Sequence, residues 1–368
     1  LLYSKLRAYR DLCLIEYQRD GLARVLGATA MVQNAESLTV FASAVLDQLT
    51  SLLRVDRSAL YCIVLPKADG SAKETKTIAA TGEFVQYTTD RGCADLPEIV
   101  SKRFAEVLAQ KAPQHFDDAY VVYTPGKNGG GNMLYLKHAA ALGKMDRQLL
   151  EIYTQSVAIT FDNINLQDDL RETQKELVYT LADAVEARSQ ATSAHVKRVA
   201  LICEMLARLY GLPESQVALI KTASPLHDIG KVAIPDAILH KPGKLDAAEW
   251  ALMQQHAQIG LDILRRSTRP LMRLGAEIAL SHHEHWDGTG YPNGLKGTDI
   301  PIAGRITALA DVFDALGSKR CYKQPWPQSE VVAAIREARG RQFEPALVDL
   351  LLDHLDAFEA IRIEYPDD

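Results

Sequence analysis

Two stretches decide how this chain is read: Pro225-Leu226-His227-Asp228-Ile229-Gly230-Lys231 and His282-His283-Glu284-His285-Trp286-Asp287-Gly288-Thr289-Gly290-Tyr291-Pro292. Each places two metal-capable side chains next to each other. On a helix, neighbours point about 100° apart, so each pair can address a metal centre from one rim, and a carboxylate can bridge two ions. His195, His256 and Asp311 lie in the same half of the chain and extend the set. Taken singly, a histidine is an ordinary core residue. Seven such residues in one half carry more weight, and eight of the ten histidines follow residue 190. Imidazole and carboxylate without a nearby cysteine suit a divalent ion such as iron, manganese or zinc and not a thiolate site.

The rest of the composition sets bounds. At roughly 100–200 residues per domain, 368 residues allow two or three domains. With 47% hydrophobic and 24% charged residues, the chain has the apolar content of a folded protein. A net charge of -6 argues against wholesale nucleic-acid or anionic-membrane binding and leaves phosphate recognition to a local basic pocket. Cys13, Cys62, Cys93, Cys203 and Cys321 are odd in number and never form CxxC. They read as reduced thiols, which predicts a cytoplasmic location. No apolar run reaches the roughly 18 residues of a membrane span, and no signal peptide is visible.

Along the chain, residues 1–27 read as a helix ending at Gly27, with Leu6, Tyr9, Leu12, Ile15, Leu22 and Leu26 near helical spacing. Residues 28–145 have an α+β texture: a helix over 37–53, strands over 58–65 and 75–80, a helix over 97–109, and short strands at 120–123 and 133–138. Over 146–180 and just beyond, Leu149, Ile152, Ser156, Ile159, Asn163, Leu166, Leu170, Thr173, Leu177, Thr180 and Ala184 alternate steps of three and four. That spacing predicts a connecting coiled-coil helix, and so a homodimer, or else a long surface helix packed on its own domain. Residues 181–368 read as all-α.

The first stretch matches the HD-x-GK motif and the second the HHExxDGxGYP motif of the HD-GYP family, which this sequence strongly resembles over roughly 180–355. The resemblance implies an all-helical metal-dependent phosphohydrolase that opens cyclic di-GMP to linear pGpG. By position it implies His195, His227, Asp228 and Asp311 around one ion, and Asp228, His256, His282 and His283 around a second. Two such cations polarise phosphoryl oxygens and stabilise the leaving oxygen of an in-line displacement. Lys231, four residues after His227 and one helical turn on, is expected to face the same site and touch a phosphate oxygen. In similar proteins the Arg320-x-x-Lys323 spacing supplies further phosphate contacts. Tyr291 lies in the glycine-rich loop 287–297, which borders the active site in the family and is associated with diguanylate cyclase contacts; plain loop packing is the other reading of Tyr291. His285 falls at a position the family leaves open, and His115, His138, His240 and His354 are set aside.

One departure matters. Family members that look trinuclear carry a Glu four residues before the first ligand histidine, where this chain has Ala191. A methyl group cannot ligate a cation, so two ions, iron or manganese, are expected, and hydrolysis beyond the linear dinucleotide is doubtful. Glu186, nine residues before His195, is expected on a different turn and face. The N-terminal region resembles GAF-like sensory domains in element order alone. A receiver domain upstream is a family habit that fits the non-Met start. Two alternatives stay open: a weakly active or inactive cyclic-dinucleotide receptor or protein-interaction module, and a hydrolase of mixed cyclic GMP-AMP.

Overall fold

The run Ala59–Pro66 (ALYCIVLP) is apolar at nearly every position, the signature of a strand covered on both faces. In the computed structural model, which describes residues 23, 38–53, 58–66, 73–88, 96–126, 131–137, 144–189, 193–318 and 325–367, it is β1, near the middle of a five-stranded antiparallel sheet. The others are β2 (Lys73–Thr81), β3 (Gln114–His115), β4 (Ala119–Pro125) and β5 (Gly131–Lys137), in the order β2-β1-β5-β4-β3. Side chains alternate between faces along β1. Tyr61 and Ile63 enter one core with Phe41, Val45 and Leu46 of α1 (Leu38–Leu53), while Leu60, Cys62 and Val64 enter another with Val100, Phe104 and Val107 of α2 (Glu98–Gln110). The helix expected over 1–27 lies outside the described residues apart from position 23.

One helix, α3, runs Lys144–Arg188. Its packed stripe is Leu150, Tyr153, Val157 and Phe161, which joins the core of α1 and the sheet. Of the expected heptad positions only Leu149 joins that stripe; Ile152, Ile159, Leu166, Leu170 and Leu177 are exposed. The chain divides into two units at Leu170/Arg171.

The second unit is helical, its one strand-like feature among the described residues being an isolated bridge between Arg339 and Phe343. After the end of α3 come α4 (Ser193–Leu209), α5 (Glu214–Ala223), two 3-10 turns (Ser224–Leu226 and Ile229–Ala233) and the short α6 (Asp236–Leu239). Then follow α7 (Ala247–Leu264), α8 (Pro270–Ser281), α9 (Ile302–Gly317), α10 (Gln328–Glu337), α11 (Pro345–Asp353) and α12 (Leu355–Glu364). Local chemistry sets several starts: Asp246 and Glu249 form a capping box on α7, and Pro270 opens α8 at a position where its missing N–H costs nothing. Val199, Ile202 and Leu206 of α4 and Ile306, Leu309 and Phe313 of α9 pack with Leu347, Leu351 and Phe358 in one core. No helix among the described residues is long and apolar enough to cross a membrane.

Phe358 is fully buried against Phe313, whereas Ile363, five residues further along α12, is 79% exposed. Phe358→Ala should therefore cost about 3–5 kcal/mol, and Ile363→Ala should stay within about 0.5 kcal/mol. Denaturant unfolding of the two variants checks the contrast.

Candidate metal centre

The stretches quoted at the outset meet at the ends of helices. His227 closes the first 3-10 turn and Asp228 opens the second, so the pair sits where the chain changes direction. His256 projects from the middle of α7; His282 ends α8 and His283 follows it. His195 comes from the first turn of α4 and Asp311 from the middle of α9. Gly230 makes the meeting possible: a Cβ there would lie 1.9 Å from the His256 carbonyl oxygen. No side chain fits where that turn crosses α7.

Asp228, His256, His282 and His283 each offer a ligand atom within 4.8 Å of the others, and so do His195, His227 and Asp311. Asp228 lies between the clusters, its Oδ2 3.3 Å from His227 Nε2 and its Oδ1 3.3 Å from His256 Nε2. The rings are fixed by their other nitrogens. His227 Nδ1 donates to the Ser224 carbonyl (2.9 Å), His256 Nδ1 to Met253 (2.6 Å), and His282 Nδ1 to Ala279 (3.0 Å). A carbonyl can only accept, so each Nδ1 carries a proton and each Nε2 faces inward, where it offers a lone pair once deprotonated.

Among the described residues, nine buried side-chain polar atoms lack a hydrogen-bond partner, and five of them belong here: Nε2 of His227, His256 and His282, Asp228 Oδ1 and Glu186 Oε1. Leaving such an atom unpaired costs about 1–3 kcal/mol, so this concentration marks a place built for something that accepts lone pairs. Divalent cations with nitrogen and oxygen preference fit this donor set.

His195 is held differently. Its Nδ1 lies 2.7 Å from Asp314 Oδ2, and Asp314 is clamped by Arg198, with Nε to Oδ1 at 2.7 Å and Nη2 to Oδ2 at 3.0 Å. Arg198 also donates to the Tyr365 carbonyl and to Asp367. Asp314 and Arg198 were not anticipated from sequence. Their signal is spacing, since each lies three residues after a predicted site residue, Asp311 and His195, one turn on along the same helix.

Electrostatics divide the histidines. Burial would lower His195, but Asp311 and Asp314 push it up to about 10; burial would likewise lower His227, which Asp228 holds up at about 9. His256 and His283 fall instead, through burial and neighbouring rings, so both are neutral at pH 7. Burial works against ionised Asp228, yet Lys231 and His227 hold its carboxyl well below the usual range.

Lys231 departs from the expected geometry. Residues 229–233 form a 3-10 turn, so Lys231 aligns with Asp228 three residues back and not with His227. Its ammonium contacts Asp228 and lies 3.7 Å from Glu186 Oε1. Glu186 is therefore a correction to the sequence reading: it shares the site, with a ligand atom within 4.8 Å of those of His227 and Asp228. Arg188, two residues on, donates to the carbonyls of Lys231 (3.1 Å) and Ile234 (2.8 Å) and ties the end of α3 to this turn.

Tyr291 stacks on His283, centroids 4.7 Å apart, and meets Trp250 in a T-shaped contact, centroids 6.1 Å apart. Buried Glu284 holds the loop by accepting from the Asn293 and Leu295 amides. Gly290 is required because a Cβ would strike His285 N at 2.3 Å. His285 points to Thr289 and falls in neither cluster. Ala191, Arg320 and Lys323 lie outside the described residues.

The comparisons agree with this picture. Residues 179–347 match a family model described as an HD domain. Over 367 residues, the whole of this chain and 70% of the relative, the sequence is 57% identical to 3'3'-cGAMP-specific phosphodiesterase 2 of Vibrio cholerae serotype O1. The chain belongs to the HD-GYP family. Other relatives match over shorter spans: a cyclic di-GMP phosphodiesterase response regulator of Xanthomonas campestris pv. campestris is 42% identical over 211 residues, 55% of this chain and 56% of the relative. A cyclic di-GMP phosphodiesterase of Thermotoga maritima is 48% identical over 167 residues, 45% of each. Residues 2–170, whose 28–145 segment was expected to be GAF-like, match a domain of unknown function, DUF3369.

A cation needs the Nε2 lone pairs that protons hold on His195 and His227 below pH of about 10 and 9. Metal binding at pH 7 should therefore release protons, and affinity should weaken by roughly tenfold per released proton for each pH unit of acidification. Calorimetric titration with manganese in phosphate and in Tris should give different apparent enthalpies; equal enthalpies would contradict the assignment.

Proposed function

We propose that this chain is a metal-dependent phosphodiesterase that opens cyclic dinucleotides, with 3'3'-cyclic GMP-AMP as its preferred substrate. The observation that carries the reading is the convergence of buried, unpaired imidazole nitrogens on one carboxylate, Asp228. The 57% identity to a cGAMP-specific phosphodiesterase along the whole chain supports the choice of substrate. Cyclic di-GMP is the second reading, supported by the names of the shorter matches.

His195, His227, Asp228 and Asp311 would hold one divalent ion, and Asp228, His256, His282 and His283 a second, iron or manganese by donor type. When bound, the pair supplies electrophilic stabilisation of the phosphodiester. The chain's own groups do the rest. Nδ1 anchors keep the rings of His195, His227, His256 and His282 in place, which pre-organises these ligands before substrate arrives. Lys231, cationic because Asp228 and Glu186 outweigh the cost of burying it, faces the same space and can take a non-bridging phosphate oxygen. Tyr291, its ring flat on His283, fixes that ligand from outside and offers an aromatic wall. Arg320 and Lys323 stay proposals as phosphate contacts on sequence grounds, as do diguanylate cyclase contacts through loop 287–297.

Turnover measured on manganese- or iron-loaded protein tests this. We expect both cyclic dinucleotides to yield linear products, with kcat/KM at least about tenfold higher for the mixed one, roughly the discrimination a single pocket contact supplies. Asp228→Ala should fall to background. A reversed preference would favour the second reading, and binding without hydrolysis would turn the chain into a receptor.

The exposed residues Ile152, Ile159, Leu166, Leu170 and Leu177 recur along α3 at steps of seven, seven, four and seven. That spacing supports a parallel homodimer through α3, with the N-terminal unit as a sensory input. Leu166→Glu with Leu170→Glu should halve the mass seen in light scattering; an unchanged mass would sink the dimer.

A further inference from the structure

Glu186 is a buried carboxylate that the proposed chemistry does not use. It sits in the last turn of α3, is 3% exposed, and spends one oxygen on the Ser189 hydroxyl at 2.9 Å. Its other oxygen, Oε1, accepts no hydrogen bond and lies 3.7 Å from the Lys231 ammonium. Lys231 is thus shared by two carboxylates: Asp228, which also groups with His256, His282 and His283, and Glu186, whose ligand atom groups with those of His227 and Asp228 alone.

That sharing cannot survive metal loading unchanged. Asp228 surrounds itself with imidazole nitrogens and is the one carboxylate both clusters can use. Once divalent cations neutralise it, the nearby ammonium loses its attraction and meets like charge. Lys231 then needs another anion. Glu186 is already within reach and has a free acceptor, and Arg188 pins the turn that carries the lysine.

Glu186 could instead be a cation ligand, since its oxygen falls within 4.8 Å of His227 and Asp228 ligand atoms. The valence of His227 argues against a separate ion there. Its Nδ1 is committed to the Ser224 carbonyl, so Nε2 has a single lone pair, and the cluster with His195 and Asp311 claims it.

We infer that Glu186 is a positioning residue: it receives the Lys231 ammonium when metal occupies Asp228 and keeps that ammonium at the edge of the centre, where it meets the substrate phosphate. The inference rests on the phosphodiesterase reading for its kinetic consequence, though not for the lysine's location. It also explains why a carboxylate is buried at this point of α3, with no role in the core.

The experiment has two arms. In the first, Glu186→Gln, Lys231→Ala and the double variant are loaded with manganese and assayed on bis(4-nitrophenyl) phosphate and on both cyclic dinucleotides, with bound metal counted by plasma mass spectrometry. Glu186→Gln should keep its metal count and lose about 10- to 100-fold in kcat, as for other residues that orient a catalytic group. In the Lys231→Ala background it should cost nothing further, the non-additivity expected of residues acting through one another. Loss of a metal equivalent, or an equal loss in both backgrounds, overturns the proposal. In the second arm, a crystal structure of manganese-loaded wild-type protein should show Lys231 Nζ within hydrogen-bond distance of Glu186 and no anomalous peak between them. A peak there overturns it. If the wild-type protein cleaves no phosphodiester, the functional reading falls while the crystallographic arm still decides the lysine's place; if Glu186→Gln does not fold, that arm needs no variant.

Discussion

The C-terminal unit is organised by one constraint: imidazole Nδ1–H groups are committed to acceptors that can only accept. A histidine buried away from water must place both ring nitrogens, and His227, His256 and His282 each give Nδ1 to a carbonyl three or four residues back along their own chain. With that nitrogen spent, Nε2 points where the helix points it. A 3-10 turn, the middle of α7 and the end of α8 aim these nitrogens at Asp228, and a bound cation would offset the cost of leaving them unpaired. Positions for helices, turns and glycines follow from it, including Gly230, which lets the Asp228 turn lie directly on α7.

His195 obeys the same logic with a stronger partner. Asp314 and Arg198 form a buried, bidentate ion pair that fixes the ring from behind. Such a pair adds little stability by itself, but losing one partner would strand a charge in the core at a cost of about 3–5 kcal/mol. Its value is orientation, and it links the ligand helix to the C-terminal residues Tyr365 and Asp367. The loop beyond His283 is held in a comparable way, with Glu284 collecting two backbone amides that a glycine-rich segment would otherwise leave without partners.

Much of this was legible from particular residues. Alternation and apolar runs located all the longer strands of the N-terminal unit, because a strand buried on both faces must be apolar throughout. The paired motifs pointed to a metal centre, because so few residue types bind hard or borderline cations and they recur here in adjacent pairs. The two-residue strand at Gln114–His115 was not legible, being too short to show a period. The α3 heptad was read as one seam, whereas the packed stripe of its first half is Leu150, Tyr153, Val157 and Phe161. A long helix can carry two apolar stripes, and periodicity alone does not say which of them faces its own domain.

Spacing misled at two positions. Lys231 was referred to His227 on the assumption of an α-helix, but a 3-10 turn rotates each residue further and aligns it with Asp228. Glu186 was set aside by counting turns back from His195, although α3 ends at Arg188 and α4 begins at Ser193, so one helical phase does not run through both. Residue chemistry, fixed by the amino acids themselves, was enough to determine family, helical class and the set of imidazoles and carboxylates that could hold metal. The tertiary structure alone decided which nitrogen of each ring faces inward, that Asp314 and Arg198 support His195, and that Glu186 and Lys231 share the site. Those facts depend on the relative placement of separate elements, and local sequence period carries no phase across a turn.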